Sequence, residues 1–524
     1  MRHIPKNFVS LTLIPIIAFF VLGPLLFLVW KVLSGVDPEI LGEMEALGVP
    51  LVIGQVALLA SLATAWALLL GTPFAWLTVR SDLPLRSLFR WLAPLPLAVP
   101  PYIGAFTYQV LLAPGGLLAS WTGSPTLPVS IYGVGGAAFV LGLFTYPYIY
   151  LLVGGALERT NPLLEEAARS AGLGSWAIFW RVSLPLLRPA LFAGGLMVFL
   201  YGWADFGVVS LLRVRTLTTL IYDYVQGTMG WGLPAGLSLL LSAITIAVLF
   251  AQIKILGRAR YTQIVSVARP PRPVPLKGWR WPAFFYALLV LGLAFFLPLL
   301  LLVHQVLRLG GGEILSFLSS QGRFFVNSLW TALVGASLAL LIALVISRLE
   351  TRRAGWGLPG LFQVGYAIPG TVLGLGMAGF LHALTPWIYA SPLIIVIGYL
   401  VLFLTPACQA TASALAQLSP SIEEASRSLG RGPVQTFLRV TLPLVRPGLI
   451  GAWILVFVLS MRELSATLIV RPPGFDTLPV RIWIHTMDVG PEPRAALLAL
   501  ALVLTIALPW LALLSLRSRG ISAG

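Results

Sequence analysis

EEAARSAGLGSWAIFWRVSLPLLRPAL, residues Glu165 to Leu191, returns 258 residues later as EEASRSLGRGPVQTFLRVTLPLVRPGL, residues Glu423 to Leu449. Sixteen of the 27 aligned positions are identical, so the chain reads as two related halves in tandem. Each copy is a charged, amphipathic island between long apolar segments. That pattern predicts an element that works in water at a membrane surface, with the character of a docking site.

Outward from the islands the chain is apolar. Of its 524 residues 58% are hydrophobic and 10% charged, and the mean hydropathy is +0.93, more apolar surface than one soluble core of this length conceals. A helix needs roughly 20 apolar residues to cross about 30 Å of hydrocarbon. Twelve such stretches occur, near 8–30, 51–79, 91–112, 134–156, 190–211, 233–253, 281–307, 328–347, 358–382, 392–416, 448–470 and 495–516. The expected fold is an all-α integral membrane protein of about twelve crossings, six per half. The first stretch, Phe8 to Trp30, is longer than a secretory signal core and lacks a small-residue cleavage site after it, so it reads as an uncleaved anchor.

The net charge of +16 reports orientation. With the N-terminus placed in the cytoplasm, 25 of the 34 Lys and Arg residues fall on inner loops and tails, the usual inward bias of basic residues. Both termini are then expected to be cytoplasmic, with membrane lipid and not nucleic acid as the surrounding partner. The lone Cys408 excludes an internal disulfide or a cysteine metal cluster.

Seven basic and no acidic residues lie between Lys254 and Arg280, around the run Arg269-Pro-Pro-Arg-Pro-Val-Pro275. Such a segment is extended and too polar for the bilayer. The expected organisation is a first half over 1–256, a linker over 257–280 and a second half over 281–524. Six crossings separate the islands, so both face one side and the halves run parallel, a plan that commonly places a substrate route at the repeat interface. Pro94, Pro96, Pro100 and Pro101 in the third stretch, and Pro369, Gly370, Gly374 and Gly376 in the ninth, predict matching helix breaks. Broken backbone at depth needs protein or a water-filled cavity to satisfy it, which suggests that these breaks line the route.

Within each island, Asn161-Pro162 and Ser419-Pro420 predict a capped helix start. Glu165 and Glu166, or Glu423 and Glu424, lie early in the helix where its dipole favours negative charge. Glu165 with Arg169, and Glu423 with Arg427, have ion-pair spacing. Gly172 and Gly430 predict the helix ends, and a second short helix is expected to stop near Pro185 and Pro443.

The runs Glu166-Ala167-Ala168, Gly172 and Val182-Ser183-Leu184-Pro185 resemble the EAA loop of bacterial ABC importer permeases. The second copy, Glu424-Ala425-Ser426, Gly430 and Val440-Thr441-Leu442-Pro443, resembles it with Ser in place of the second Ala. The resemblance implies a type I importer permease fold in the bacterial cytoplasmic membrane. It also implies that the islands, Glu165 and Glu423 included, dock two copies of a cytoplasmic ATP-binding subunit carrying ATP and magnesium, with a periplasmic binding protein delivering substrate outside. Two six-helix halves in one chain are similar to the ferric iron permeases, as are Tyr201-Gly-Trp-Ala-Asp-Phe-Gly207, Ser460-Met-Arg-Glu-Leu-Ser-Ala-Thr467 and Arg471-Pro-Pro-Gly-Phe-Asp-Thr477. Fused thiamine permeases share that layout, and sulfate and polyamine permeases share the fold. A secondary carrier or an intramembrane enzyme would leave the paired islands unexplained.

Asp205 and Glu463 occupy equivalent positions, each 17 residues past a basic inner boundary at Arg188 or Arg446. Along a helix that is about 25 Å, towards the outer side. An intramembrane carboxylate is a functional candidate by default, and a hard cation such as ferric iron favours oxygen ligands. Tyr146, Tyr148, Tyr201 and Tyr222 supply further oxygens, whereas His304, His382 and His485 show no ligand spacing. No phosphate-binding, nucleophile or zinc motif is present, so the chain is not expected to bind a cofactor or to be an enzyme.

Overall fold

Prolines and small residues divide the apolar sequence into helices that recur in the same order in both halves. The computed structural model describes residues 6–34, 39–123, 130–160, 162–227, 230–256, 273–350 and 368–521. The first half contains α1 (Lys6–Ser34), α2 (Val49–Arg80), α3 (Pro101–Leu112), α4 (Val134–Arg159), α5 (Pro162–Ser170), α6 (Leu184–Ala204), α7 (Gly207–Leu211), α8 (Leu217–Gly227) and α9 (Gly232–Leu256). The second half contains α10 (Arg280–Leu291), α11 (Leu297–Leu307), α12 (Gly311–Glu350), α13 (Gly370–Leu384), α14 (Leu393–Ala416), α15 (Pro420–Ser428), α16 (Leu442–Met461), α17 (Ser465–Val470), α18 (Leu478–Asp488) and α19 (Pro493–Ile521). Short turns and helices connect them. Nine of the described helices have the length and hydropathy of a membrane crossing, and three shorter apolar ones span Phe19–Ser34, Gly370–Leu384 and Pro493–Pro509. Each of the apolar stretches overlaps one of these helices.

In each half three long helices form a packed trio, α2 with α4 and α6, and α12 with α14 and α16. Lipid tails are as apolar as leucine, so close backbone approach holds membrane helices together where hydrophobicity does not. Ala60, Ala63 and Ala67 of α2 are fully buried. A Cβ at Gly71 would stand 2.8 Å from the Tyr146 carbonyl oxygen and from Ile149 Cβ.

The halves exchange their first helices. α1 packs on α13, and its counterpart α11 packs on α3. Gly376 brings α13 so close to α1 that a Cβ there would meet the Pro24 carbonyl oxygen at 2.7 Å, and one at Gly379 would meet the Phe27 ring at 2.1 Å. In the opposite direction Tyr108 donates to the Leu293 carbonyl at 3.1 Å, and Tyr286 donates to the Leu70 carbonyl at 2.8 Å. Helices from one side of the expected linker over 257–280 therefore pack against helices from the other.

The expected break in the third stretch is present: a helix over Arg86–Leu92 gives way to a 3₁₀ turn over Leu95–Ala98, and α3 begins at Pro101. In the ninth stretch residues 358–367 lie outside the described residues, and Pro369 sits at the cap of α13. Gly374 and Gly376 are not breaks. They lie inside α13 and are close-packing positions, Gly374 against Ala466 and Ile469.

Of the linker, 257–272 lies outside the described residues. Its last part attaches to the end of α2: Val274 N–H donates to the Arg80 carbonyl at 2.7 Å, Asp82 N–H to the Val274 carbonyl at 3.2 Å, and Leu276 N–H to Asp82 Oδ1 at 2.8 Å.

Candidate functional site

The two islands form the first feature. α5 and α15 carry their acidic residues in or beside the first turn, where unpaired amides and the helix dipole favour negative charge. Both end in the same way. Gly172 and Gly430 take φ of +83° and +82°, a left-handed conformation that glycine enters without penalty. Gly172 N–H then donates to the Arg169 carbonyl at 2.9 Å and Leu173 N–H to that of Ala168 at 3.1 Å; Gly430 N–H donates to Arg427 at 2.9 Å and Arg431 N–H to Ser426 at 3.4 Å. This is the Schellman arrangement.

The starts and exits differ from expectation. Asn161 lies outside the described residues. Ser419 occupies the cap position before Pro420, but its hydroxyl meets that of Ser421 at 2.7 Å and caps no amide. Nor does the second helix stop at Pro185 or Pro443. Helical backbone runs from Ser175 through a π turn over Phe179–Ser183 into α6, and from Pro433 through a π turn over Phe437–Thr441 into α16. A proline inside an α-helix loses a hydrogen bond and clashes with the preceding turn; the wider π turn immediately before each proline accommodates it. Each island is thus continuous with a long apolar helix.

The paired glutamates separate in space. Glu166, Glu424, Ala167 and Ala425 are exposed, while Ala168 is half-buried and Ser426 buried. Ser426 and Thr436 share a hydroxyl contact at 3.1 Å that joins α15 to the segment after it. Glu165 and Glu423 turn the other way. Glu165 Oε1 is 3.4 Å from Arg80 Nη2 and accepts from Ser183 Oγ at 3.0 Å, so its described ion pair is with the end of α2 in place of Arg169. Glu423 Oε1 accepts from Arg348 at 2.6 Å and from Thr441 Oγ1 at 2.7 Å, and its other oxygen takes the expected Arg427 at 3.2 Å. Partial burial alone would raise the Glu423 carboxyl; the hydrogen bonds from Thr441 and Arg348 and the two guanidinium charges outweigh it and hold the group below the usual glutamate range. A carboxyl depressed on folding stabilises above its unfolded value and loses that contribution as pH falls through the lowered one. The Glu423 carboxylate therefore contributes its stabilisation at neutral pH and loses it only on acidification.

The second feature is the boundary between the halves. α6 ends at Ala204 and α16 at Met461, so Asp205 and Glu463 lie just beyond the helices on which they were expected. Each caps the short helix that follows. Asp205 Oδ2 accepts Val208 N–H at 2.8 Å and Val209 N–H at 3.2 Å, and Glu463 Oε1 accepts Ala466 N–H at 2.8 Å. α7 packs on α3 and α17 on α13, in matching fashion. A Cβ at Gly207 would meet Tyr102 Cβ at 2.9 Å and Leu464 Cδ2 at 3.3 Å, and one at Gly370 would meet Glu463 Oε1 at 3.1 Å. Arg462 reaches from the second half to the Leu97 carbonyl at 3.3 Å and the Tyr148 hydroxyl at 3.2 Å in the first. Trp483 Nε1 donates across the same boundary to Ser210 Oγ at 2.8 Å.

The four tyrosines divide. Tyr148 and Tyr201 face one another at 6.5 Å between ring centroids, and the charged neighbours of Tyr201 include Arg462, Asp205 and Glu463. Tyr146 is fully buried and donates to the Ala93 carbonyl at 3.0 Å, and Tyr222 packs against Phe206 and Trp483. Sequence reasoning passed over Tyr102, whose buried hydroxyl has no hydrogen-bond partner among the described residues; the signal was its place directly after Pro100-Pro101. It also passed over Arg80 and Arg348 as partners of the acidic residues. Among the described residues no three His, Cys, Asp or Glu side chains converge as metal ligands, and His485 instead meets Glu492 at 3.3 Å.

Two equivalent, largely exposed helical islands in a repeated set of membrane-length helices, with a polar boundary between the halves, are the features of a two-domain transport subunit. The chain belongs to the family described as binding-protein-dependent transport system inner membrane component, which matches it twice, over residues 67–304 and 335–519. It is therefore a multi-pass inner-membrane permease of an ABC importer, a family that works with a periplasmic binding protein and an ATP-binding subunit. It is 30% identical over 467 residues to the Fe(3+)-transport system permease protein FbpB 2 of Haemophilus influenzae, covering 87% of this chain and 88% of that protein. The ferric transport system permease protein FbpB of Actinobacillus pleuropneumoniae is 25% identical over 426 residues, 76% of this chain and 61% of that one. The sulfate transport system permease protein CysW of Synechocystis is 33% identical over 142 residues, 27% of this chain and 51% of that one.

Proposed function

We propose that this permease imports ferric iron, delivered by a binding protein outside and driven by ATP hydrolysis on two copies of a cytoplasmic subunit. The observation that carries the substrate is the similarity, over 87% of the chain, to a relative named for Fe(3+) transport. The boundary agrees with it: the carboxylates Asp205 and Glu463 and the phenols of Tyr148 and Tyr201 put oxygen atoms where the halves meet. Helices α5 and α15 would dock the two ATP-binding subunits through Glu166 and Glu424, and closure of those subunits would rock the halves about the boundary in alternating access. A second reading, an oxyanion such as sulfate, draws on the similarity to the sulfate permease and on Arg462 at the same boundary.

The double variant Asp205→Asn, Glu463→Gln separates the carboxylates' charge from their capping role, because the amide oxygen still accepts the backbone N–H groups. Iron uptake by proteoliposomes carrying the assembled transporter is expected to fall about tenfold or more, a loss of at least about 1.4 kcal/mol in the rate-determining interaction. Parental uptake would make both residues structural caps.

The proposed orientation puts both termini and the linker in the cytoplasm. A cysteine in place of Val274, in a Cys408→Ala background, is expected to resist an impermeant maleimide added to intact cells and to label after permeabilisation. Labelling of intact cells would invert the topology.

A further inference from the structure

The two adjacent glutamates of each island face in opposite directions, and the same division occurs in both halves. Glu166 and Glu424 are exposed. Glu165 is bound to Arg80, the last residue of α2, and to Ser183 in the π turn that leads into α6. Glu423 is bound to Arg348, near the end of α12, and to Thr441 in the π turn that leads into α16. Ser183 and Thr441 are repeat equivalents, as are the two glutamates, so one three-part cluster of guanidinium, carboxylate and hydroxyl has been kept twice. Each cluster joins three elements: the island helix, the membrane helix α2 or α12 that supplies the arginine, and the membrane helix α6 or α16 that continues from the island.

Burial decides that this is more than a surface ion pair. Exposed pairs contribute little because water screens them and two long side chains must be ordered. Arg80, however, is only 3% exposed and Glu165 14%, and a guanidinium in that setting is held in place by its partners. Arg348 is further fixed with its guanidinium carbon 4.6 Å from the centre of the Phe437 ring, on the same π turn as Thr441. In the first half the cluster is also backed by the linker, since the carbonyl of Arg80 accepts Val274 N–H at 2.7 Å.

From this we infer that Glu165 and Glu423 are positioning residues for energy coupling, struts that make each island move as one body with the two membrane helices behind it, while Glu166 and Glu424 face the ATP-binding partner. This rests on the reading of the islands as docking helices. The strut passes displacement of the island to α2 and α6, or to α12 and α16, the helices of each packed trio. Without it the island can follow the partner while the trio stays still, and hydrolysis is separated from transport.

The test compares two neighbouring double variants of the full chain, assembled with its ATP-binding subunit in proteoliposomes. Glu165→Gln with Glu423→Gln is expected to bind that subunit within about twofold of the parent while substrate moved per ATP hydrolysed falls about tenfold. Glu166→Gln with Glu424→Gln is expected to lose about tenfold in affinity. The milder pair Ser183→Ala with Thr441→Val, which removes only the hydroxyl arm, is expected to lower transport per ATP to an intermediate value and guards against a strut variant that does not fold. Unchanged transport per ATP in the strut variants overturns the inference, as does a loss that follows lost affinity. A parent that binds no ATP-binding subunit overturns it together with the docking reading, and so is told apart from failure of the strut alone.

Discussion

Alanine at both Glu166 and Glu424 is expected to remove most of the permease's hold on its ATP-binding subunit, with affinity in detergent falling at least about tenfold and stimulated hydrolysis falling with it. Both carboxylates are exposed near the start of a short helix, where the unpaired amides and the helix dipole favour their ionised form. Truncating one member of a buried, hydrogen-bonded charge pair at an interface costs on the order of 2–5 kcal/mol. Exposed substitutions away from such contacts stay within about 0.5 kcal/mol in the isolated chain, so its thermal stability should hardly change. Affinity is read by titrating labelled subunit onto the immobilised permease. Parental affinity in the double variant would move the docking surface elsewhere.

Gly376→Ala is expected to destabilise the permease by about 1–3 kcal/mol, the usual cost of forcing volume into a packed core. The added methyl would lie 2.7 Å from the Pro24 carbonyl oxygen and 2.9 Å from Pro24 Cβ. Neither atom is a flexible tip that can swing aside, so α1 must move off α13. Gly155→Ala serves as the control, because a Cβ there meets nothing within 4 Å and alanine favours helix. Thermal unfolding followed by size exclusion distinguishes them: a lower midpoint for Gly376→Ala alone is the expected result. Equal midpoints would mean that the exchanged first helix contributes nothing to holding the halves together.

The sequence exposed those parts of the molecule that rest on local chemistry. Two copies of one island, Gly172 and Gly430 at their ends, and the prolines before α3 are set by backbone preferences within a few residues. What it concealed depends on distant contacts. Spacing along one helix offers Arg169 to Glu165, yet the described partner is Arg80, 85 residues upstream, and no periodicity carries that. Prolines 185 and 443 read as stops because a π turn leaves no composition of its own. The exchange of α1 and α11 was hidden because a helix facing lipid and one facing another helix have the same apolar character; Gly376, read from the sequence as a break, in fact marks the close approach of α1. Asp205 and Glu463 were found as unusual intramembrane acids, but their capping role was legible too, each standing three residues before an amide it accepts.

The most direct test is ATP-dependent accumulation of radioiron in proteoliposomes holding the permease and its ATP-binding subunit, with a ferric-loaded binding protein outside. Accumulation that requires ATP and the loaded binding protein, and that excess sulfate or thiamine leaves unchanged, is the predicted result. Absence of iron uptake from a complex that accumulates sulfate from its own binding protein would contradict it.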